Sequence, residues 1–227
     1  STMLPPARLA SLYRQALHCE RAGIAGSFVE CGVWKGGGVA TMALANLRAG
    51  SVRRPLHLFD AFQEICEPDA AVDGPRADQE TAAFRDGAAT GRLQPLKGIY
   101  DAIGGPGTLQ DNRDLLEGAL QYPQEFLNYH VGWFQDTLPK GAAQVGPIAI
   151  LRIDSDWYAS TKICLETLVD QVVPGGFVII DDYGTYDGCR KAVDEFLTTR
   201  APRAFLVPVD NDCHFWINAW PEGPQPR

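Results

Sequence analysis

The chain has 227 residues, 45% hydrophobic and 21% charged, which is enough for one domain with a substantial core but cramped for two. No apolar run reaches the length of a membrane span and no signal-peptide pattern opens the chain, so neither a membrane partner nor export is expected. A net charge of −8 with scattered basic residues leaves no surface for tracking phosphates, which argues against nucleic acid as a partner.

The six cysteines (Cys19, Cys31, Cys66, Cys164, Cys189 and Cys213) contain no C-x-x-C pair, and several fall in apolar segments. They read as buried thiols in a reducing cytoplasm rather than as disulfides or zinc ligands. Ser1 and Thr2 ahead of Met3 read as left over from cloning, with Met3 the expected native start.

The first predicted element is a helix in ARLASLYRQALHCERAG, where Leu9, Leu12, Tyr13, Ala16 and Leu17 recur at helical spacing before a break at residues 23–26. Such a helix packs on the core or on a partner subunit, and from it a homo-oligomer is expected. GSFVECGVW then predicts a strand running into KGGG and a helix, VATMALANLRAG, that stops at Gly50. Strand, Gly-rich turn and helix form the opening of a nucleotide-binding βα unit. PLHLFDAF is the next strand, closed by Asp60.

From about residue 62 to 110 the chain is rich in Gly, Pro, Asp and Ala, with only short helical pieces such as DQETAAFRD. So long and weakly patterned a stretch reads as a lid or binding insertion. A helix in NRDLLEGAL, a strand in FLNYHVGWF and the stretch QDTLP follow. Then come a strand at Ile148 to Ile153, a helix at Ser160 to Val172, the strand GFVIIDDY, a helix at Cys189 to Thr199, and the strands AFLVPV and CHFWINAW. The alternation predicts an α/β fold with a doubly wound, mostly parallel, Rossmann-like sheet. An N-terminal helical segment (1–26), a main domain (27–221) and a short tail (222–227) complete the expected organisation.

Acidic or amide residues close the predicted strands: Glu30, Asp60, the pair Asp154 and Asp156, the pair Asp181 and Asp182, and Gln135 just past a fifth strand. In an open parallel sheet the carboxyl ends of the strands border the ligand crevice, so these residues converge. Any one Asp at a strand end has a plain alternative, capping the next helix, and Asp156 stands close to a predicted helix start. Four crowded carboxylates are tolerable only with protonation, a cationic partner or a metal. An all-oxygen donor set selects a hard cation, with Mg²⁺ first and Mn²⁺ or Ca²⁺ as alternatives.

The turn ECGVWKGGG departs from the G-x-G-x-x-G fingerprint, because Trp34 stands at the second Gly, and Asp60 lies 28 residues beyond Gly32. With Glu30 before it and Asp60 after it, the turn fits a ribose-binding site. Trp157 and Tyr158 read equally as acceptor-pocket walls or rim packing. His130 reads as a core or edge residue, His214 has little in its spacing to place it at the site, and Trp133 and Phe134 are compatible with simple core packing.

FVECGVWKGGG, GWFQDTLP, LRIDSDWYAST and PGGFVIIDDYGTYDGCRKAVDEF together resemble the macrocin O-methyltransferase family, with the likeness running from about Ser27 to Trp216. A more distant likeness to catechol O-methyltransferase follows the same positions. The family's enzymes depend on S-adenosylmethionine and Mg²⁺ and methylate sugar hydroxyls on macrolide and aminocoumarin antibiotics. The resemblance implies a class I methyltransferase fold and a small-molecule hydroxyl acceptor, a glycosylated natural product. It also implies Asp154, Asp181 and Asp182 as metal ligands and Asp156 as general base. Glu30 and Gly32 fall at the methionine end of the cofactor, Asp60 at its ribose, and Phe134 and Gln135 at its adenine. Val33, Trp34, Gly38, Ala61 and Asp154 complete the cofactor set that the resemblance implies. FDAF in place of a Ser-containing version, Lys35 in place of the usual Arg, and the different stretch between Phe62 and Asp111 depart from the family pattern.

Two other chemistries use similar residues. The D-x-D of Asp154 and Asp156 suits a metal-dependent nucleotide-sugar glycosyltransferase, although it leaves the Gly-rich turn and VIIDDY unexplained. An Asp-nucleophile phosphatase also pairs D-x-D with DD, but with the motifs far apart and a catalytic Lys between them. A non-enzymatic binding module has no use for four clustered carboxylates.

Overall fold

The computed structural model describes residues 2–200 and 204–218. The apolar runs form strands β1 (Ser27–Cys31), β2 (Leu56–Asp60), β3 (Leu127–Val131), β4 (Ile148–Ile153) and β5 (Val172–Ile180). Two short strands, β6 (Val207–Pro208) and β7 (His214–Ile217), complete a seven-stranded sheet in the order β3-β2-β1-β4-β5-β7-β6. The first five are parallel, and β7 runs antiparallel to both of its neighbours. β1 and β4 are buried along their whole length, as expected when helices cover both faces of a parallel sheet.

One face carries α1 (Pro6–Ala22) and α2 (Gly37–Ala49), with Leu12, Ala16, Val39 and Met42 in a core against Phe28, Leu56 and Ile150. The opposite face carries α5 (Phe134–Val145), α6 (Tyr158–Leu168) and α7 (Asp187–Arg200), whose Leu138, Leu165, Leu168 and Val193 pack on Val29, Leu151 and Val178. α1 therefore packs on the core of its own chain. All six cysteines are buried free thiols. Among the described residues no helix is long and apolar enough to cross a membrane.

Several expected boundaries move. FLNYHVGWF ends as a strand at Val131, and Phe134 opens a helix of 12 residues through QDTLP, where no helix was expected. Pro139 sits inside that helix and hides it from a breaker-based reading. The helical signal is the buried spacing of Leu138, Gly141 and Val145, and a Cβ on Gly141 would lie 2.8 Å from His130 and 3.1 Å from Phe59. The helix expected over Ser160 to Val172 begins at Tyr158 and stops at Leu168, and β5 starts already at Val172, ahead of the expected strand GFVIIDDY.

Within the insertion, α3 (Gly74–Thr81) starts and ends earlier than DQETAAFRD, and α4 (Leu109–Arg113) continues into a π-helical turn, Asp114–Ala119. Residues 219–220 of the final predicted strand and the 222–227 tail lie outside the described residues.

The sheet order reverses between β1 and β4, which is where an open α/β sheet leaves a crevice.

Candidate active site

The site starts at the turn after β1. Gly32 has φ +84°, and a Cβ there would stand 1.7 Å from the Asp154 carbonyl oxygen, so only glycine lets the ends of β1 and β4 approach. Asp60 ties this turn to β2: its Oδ2 accepts from the Val33 N–H (2.6 Å) and the Trp34 N–H (3.1 Å), and its Oδ1 from the Phe62 N–H (2.6 Å). Burial lifts the Asp60 carboxyl above its ordinary range against the pull of those three bonds.

Behind the turn, Gly38 exists for Glu30. A Cβ at Gly38 would meet the Glu30 Oε1 at 2.0 Å. Glu30, only 1% exposed, is pushed up to about 7 by burial, with Arg152 opposing the shift.

Arg152 is the group that sequence reasoning missed. Register places it beside Glu30 on β1. Its Nη1 lies 2.6 Å from Glu30 Oε1 and 3.0 Å from Asp154 Oδ2, and its Nη2 lies 2.6 Å from Asp181 Oδ1. Arg8 of α1 reaches the same Asp181 from the other side, 2.6 Å from Oδ2, and also pairs with Asp210 and Asp212. A lone Arg inside an apolar strand and another on an N-terminal helix give no local signal of these pairings. The only sequence clue was the crowding that demanded a cationic partner.

Asp154, Asp181 and Asp182 offer carboxylate oxygens within 4.8 Å of one another. Among the described residues Asp182 has no cation within ion-pair distance, although it is 7% exposed. Burial and the neighbouring carboxylates of Asp156, Asp154 and Asp181 raise it well above the usual carboxylate range. Asp154 is raised to about 6 by burial and Asp181, with Arg152 opposing.

Asp156 does not cap α6. That role falls to Asp73 of the insertion, whose Oδ1 accepts from the Tyr158 N–H at 2.6 Å. Asp156 instead adopts φ +58°, its N–H lying 3.3 Å from Asp182 Oδ2, and its carboxyl faces the cavity. Burial, then Asp154 and Asp181, push it well above the ordinary value. Trp34 (φ +46°) and Phe62 (φ +52°) are also left-handed, so three of the four positive-φ non-glycines among the described residues belong to the loops of this site.

A cavity of about 320 Å³ opens over these strand ends. Gly32, Val33, Trp34, Asp60, Ala61, Phe134, Gln135, Asp154 and Asp156, all expected at the site, line it. Glu30 and Gly38 do not, because Glu30 is drawn back onto Arg152 and Gly38 is spent on making room for it. Asp181 and Asp182 sit below the lining, held by Arg8 and Arg152 or by the Asp156 N–H.

Trp157 joins the wall, its Nε1 donating to the Cys66 carbonyl at 2.9 Å, whereas Tyr158 turns outward to Glu195. Trp133 also lines the cavity and packs against the small buried cluster of Cys66, Ala77 and Trp157. His130 lies on edge strand β3, hydrogen-bonded to His57, and His214 packs on Tyr183 away from the cavity. The insertion adds Glu64, Cys66, Glu80, Ile99 and Tyr100. Five carboxylates line the cavity, and among the described residues no Lys, Arg or His does.

A family model described as macrocin O-methyltransferase (TylF) matches residues 1–87 and 118–218. The demethyldecarbamoylnovobiocin O-methyltransferase of Streptomyces niveus is 34% identical over 196 residues, 85% of this chain and 66% of that protein. The 8-demethyl-8-(2,3-dimethoxy-alpha-L-rhamnosyl)-tetracenomycin-C 4'-O-methyltransferase of Streptomyces olivaceus is 31% identical over 195 residues, 86% of this chain and 66% of that protein. The chain thus spans 66% of the length of these curated relatives. The solved structure of the O-methyltransferase NovP superposes with a TM-score of 0.76 at 30% identity, covering 96% of this chain and 82% of that one. The chain belongs to the macrocin O-methyltransferase family.

Proposed function

We propose that this chain transfers the methyl group of S-adenosylmethionine to a sugar hydroxyl of a glycosylated natural product, with Mg²⁺ as the metal. The observation that carries the reading is the charge of the cavity: in a chain of this family, a wall of five carboxylates without a basic side chain favours a cationic cofactor. The sulfonium and ammonium groups of S-adenosylmethionine are such cations. The same wall disfavours a nucleotide sugar, whose diphosphate has no positive side chain to meet it. The printed names of the curated relatives, one of which carries a rhamnosyl group, support a glycoside as acceptor.

The donor set fits a divalent cation: three carboxylates converge, all donors are oxygens, and Asp182 is buried without a positive partner. Asp154, Asp181 and Asp182 would hold the ion. When bound, it supplies Lewis acidity that lowers the pKa of an acceptor hydroxyl and orients it.

The chain's own groups do the rest. The Gly32–Trp34 turn would seat the methionine end, with Glu30 and Gly38 shaping it from behind. Asp60 and Ala61 would face the ribose, while Phe134 and Gln135 at the start of α5 would flank the adenine. Asp156 would take the acceptor proton. An ordinary carboxylate, at about 3.9, is a weak base for a hydroxyl, and the lowering of the acceptor's pKa by a bound divalent ion, rather than any change in Asp156, would close that gap. Fixing both reactants at one strand edge brings oxygen and methyl carbon together by proximity.

The test is methyl transfer from labelled S-adenosylmethionine to a glycoside panel, with and without chelator. Chelation is expected to abolish turnover. Asp156→Asn is expected to lose about 10²- to 10⁴-fold in kcat, the usual weight of a general base, while calorimetry shows cofactor affinity unchanged. Tight nucleotide-sugar binding with no response to S-adenosylmethionine would refute the reading.

A further inference from the structure

Residues 88–117 fall outside the stretches that the family model matches, yet this segment closes one side of the cavity. It is fastened to the glycine turn. Trp34 Nε1 donates to the Gly105 carbonyl (3.3 Å), Lys35 Nζ to the Gly104 carbonyl (2.7 Å), and Asn112 Nδ2 to the Trp34 carbonyl (2.7 Å). Gly107 approaches so closely that a Cβ there would lie 2.0 Å from the Trp34 carbonyl oxygen.

The carbonyl of Tyr100 accepts from the Ile103 and Gly105 N–H groups (3.0 and 2.9 Å), which pins the backbone under its side chain. Ile99 and Tyr100 then face the cavity. Tyr100 is half-buried and lines the same cavity as Asp60, Asp154 and Asp156; burial, followed by the charge of Asp156, raises its phenol above the ordinary range. No hydrogen bond joins its hydroxyl to another of the described residues. A phenol O–H that faces the cavity without a protein partner keeps its donor for whatever fills it.

We propose that Tyr100 is a specificity-determining residue of the acceptor site, its hydroxyl donating to the acceptor oxygen vicinal to the one that Asp156 deprotonates. Adjacent carbons of a sugar ring present their oxygens side by side, so one can face Asp156 while its neighbour meets Tyr100. The donor suits a vicinal hydroxyl or a vicinal ether equally. The groups placed against the cofactor come from stretches that the family shares, whereas Tyr100 comes from the stretch that it does not. The assignment rests on the methyl-transfer reading.

Tyr100→Phe keeps the ring and removes only the O–H. With methyl α-L-rhamnoside as acceptor, kcat/KM is expected to fall about 5- to 20-fold, the weight of one hydrogen bond made in a closed site. With the monodeoxy rhamnoside that lacks the vicinal oxygen, variant and wild type are expected to match. Calorimetry should show S-adenosylmethionine affinity unchanged.

Equal kcat/KM on the rhamnoside overturns the assignment. So does an equal loss on both acceptors, which marks a structural role, or weakened cofactor binding, which moves the phenol to the other ligand. Absence of methyl transfer by the wild-type chain to any glycoside refutes the proposed function itself, and the assignment falls with it.

Discussion

Replacing Arg152 by Met removes a guanidinium that is 3% exposed and lies within 3.0 Å of Glu30, Asp154 and Asp181. Breaking a buried ion pair from one side costs about 3–5 kcal/mol, because the charge left behind is unsolvated. At about 2–4 °C per kcal/mol for a chain of this size, Tm should fall by about 6–20 °C.

The loss should depend on pH. In the native chain Glu30 is already raised to about 7 and Asp154 to about 6, and losing Arg152 raises both further. An acid raised above its unfolded value binds more protons folded than unfolded. Its stability is full below the unfolded pKa and is lost as pH rises through the folded one. The gap between variant and wild type should therefore be widest near pH 8 and shrink towards pH 5, in melts followed by circular dichroism with chelator present. A Tm loss below about 3 °C at pH 8, or a gap that widens on acidification, would refute the reasoning.

Gly32→Ala combines φ +84° with a Cβ 1.7 Å from the Asp154 carbonyl oxygen. It should cost more than about 4 kcal/mol and show as insoluble protein or a collapsed melt; a normal Tm would show that the strand ends can separate. Asp73→Ala removes the acceptor of the Tyr158 and Asp69 N–H groups. A loss of about 0.5–2 kcal/mol is expected, with faster proteolytic nicking within residues 62–110. Unchanged digestion would mean that other contacts dock the insertion.

The sheet was legible because its buried strands are unbroken apolar runs, and the acidic residues that close them converge wherever parallel strands end together. Gly32, Asp60, Asp154 and Asp156 could be placed for that reason. α5 was not legible, since Pro139 and Gly141 imitate a loop and the helix shows itself only through what it buries. The cations of the site were hidden differently. Arg8 meets Asp181 across 173 positions, a pairing that exists only once α1 has folded onto the sheet. Asp73 was equally silent: an Asp in a polar insertion looks solvated until α6 arrives to be capped.

The contact between Gly32 and the Asp154 carbonyl has a consequence for how such an enzyme diversifies. It locks the floor of the cavity to the backbone of two central strands, so a residue change there disturbs folding before it alters preference. The roof, residues 88–117, rests instead on a few carbonyls and closely packed glycines. Exchanging that roof between relatives is therefore a modular operation, in which a graft that keeps the counterparts of Gly104, Gly105 and Gly107 inherits the floor beneath it and brings its own wall to the cavity.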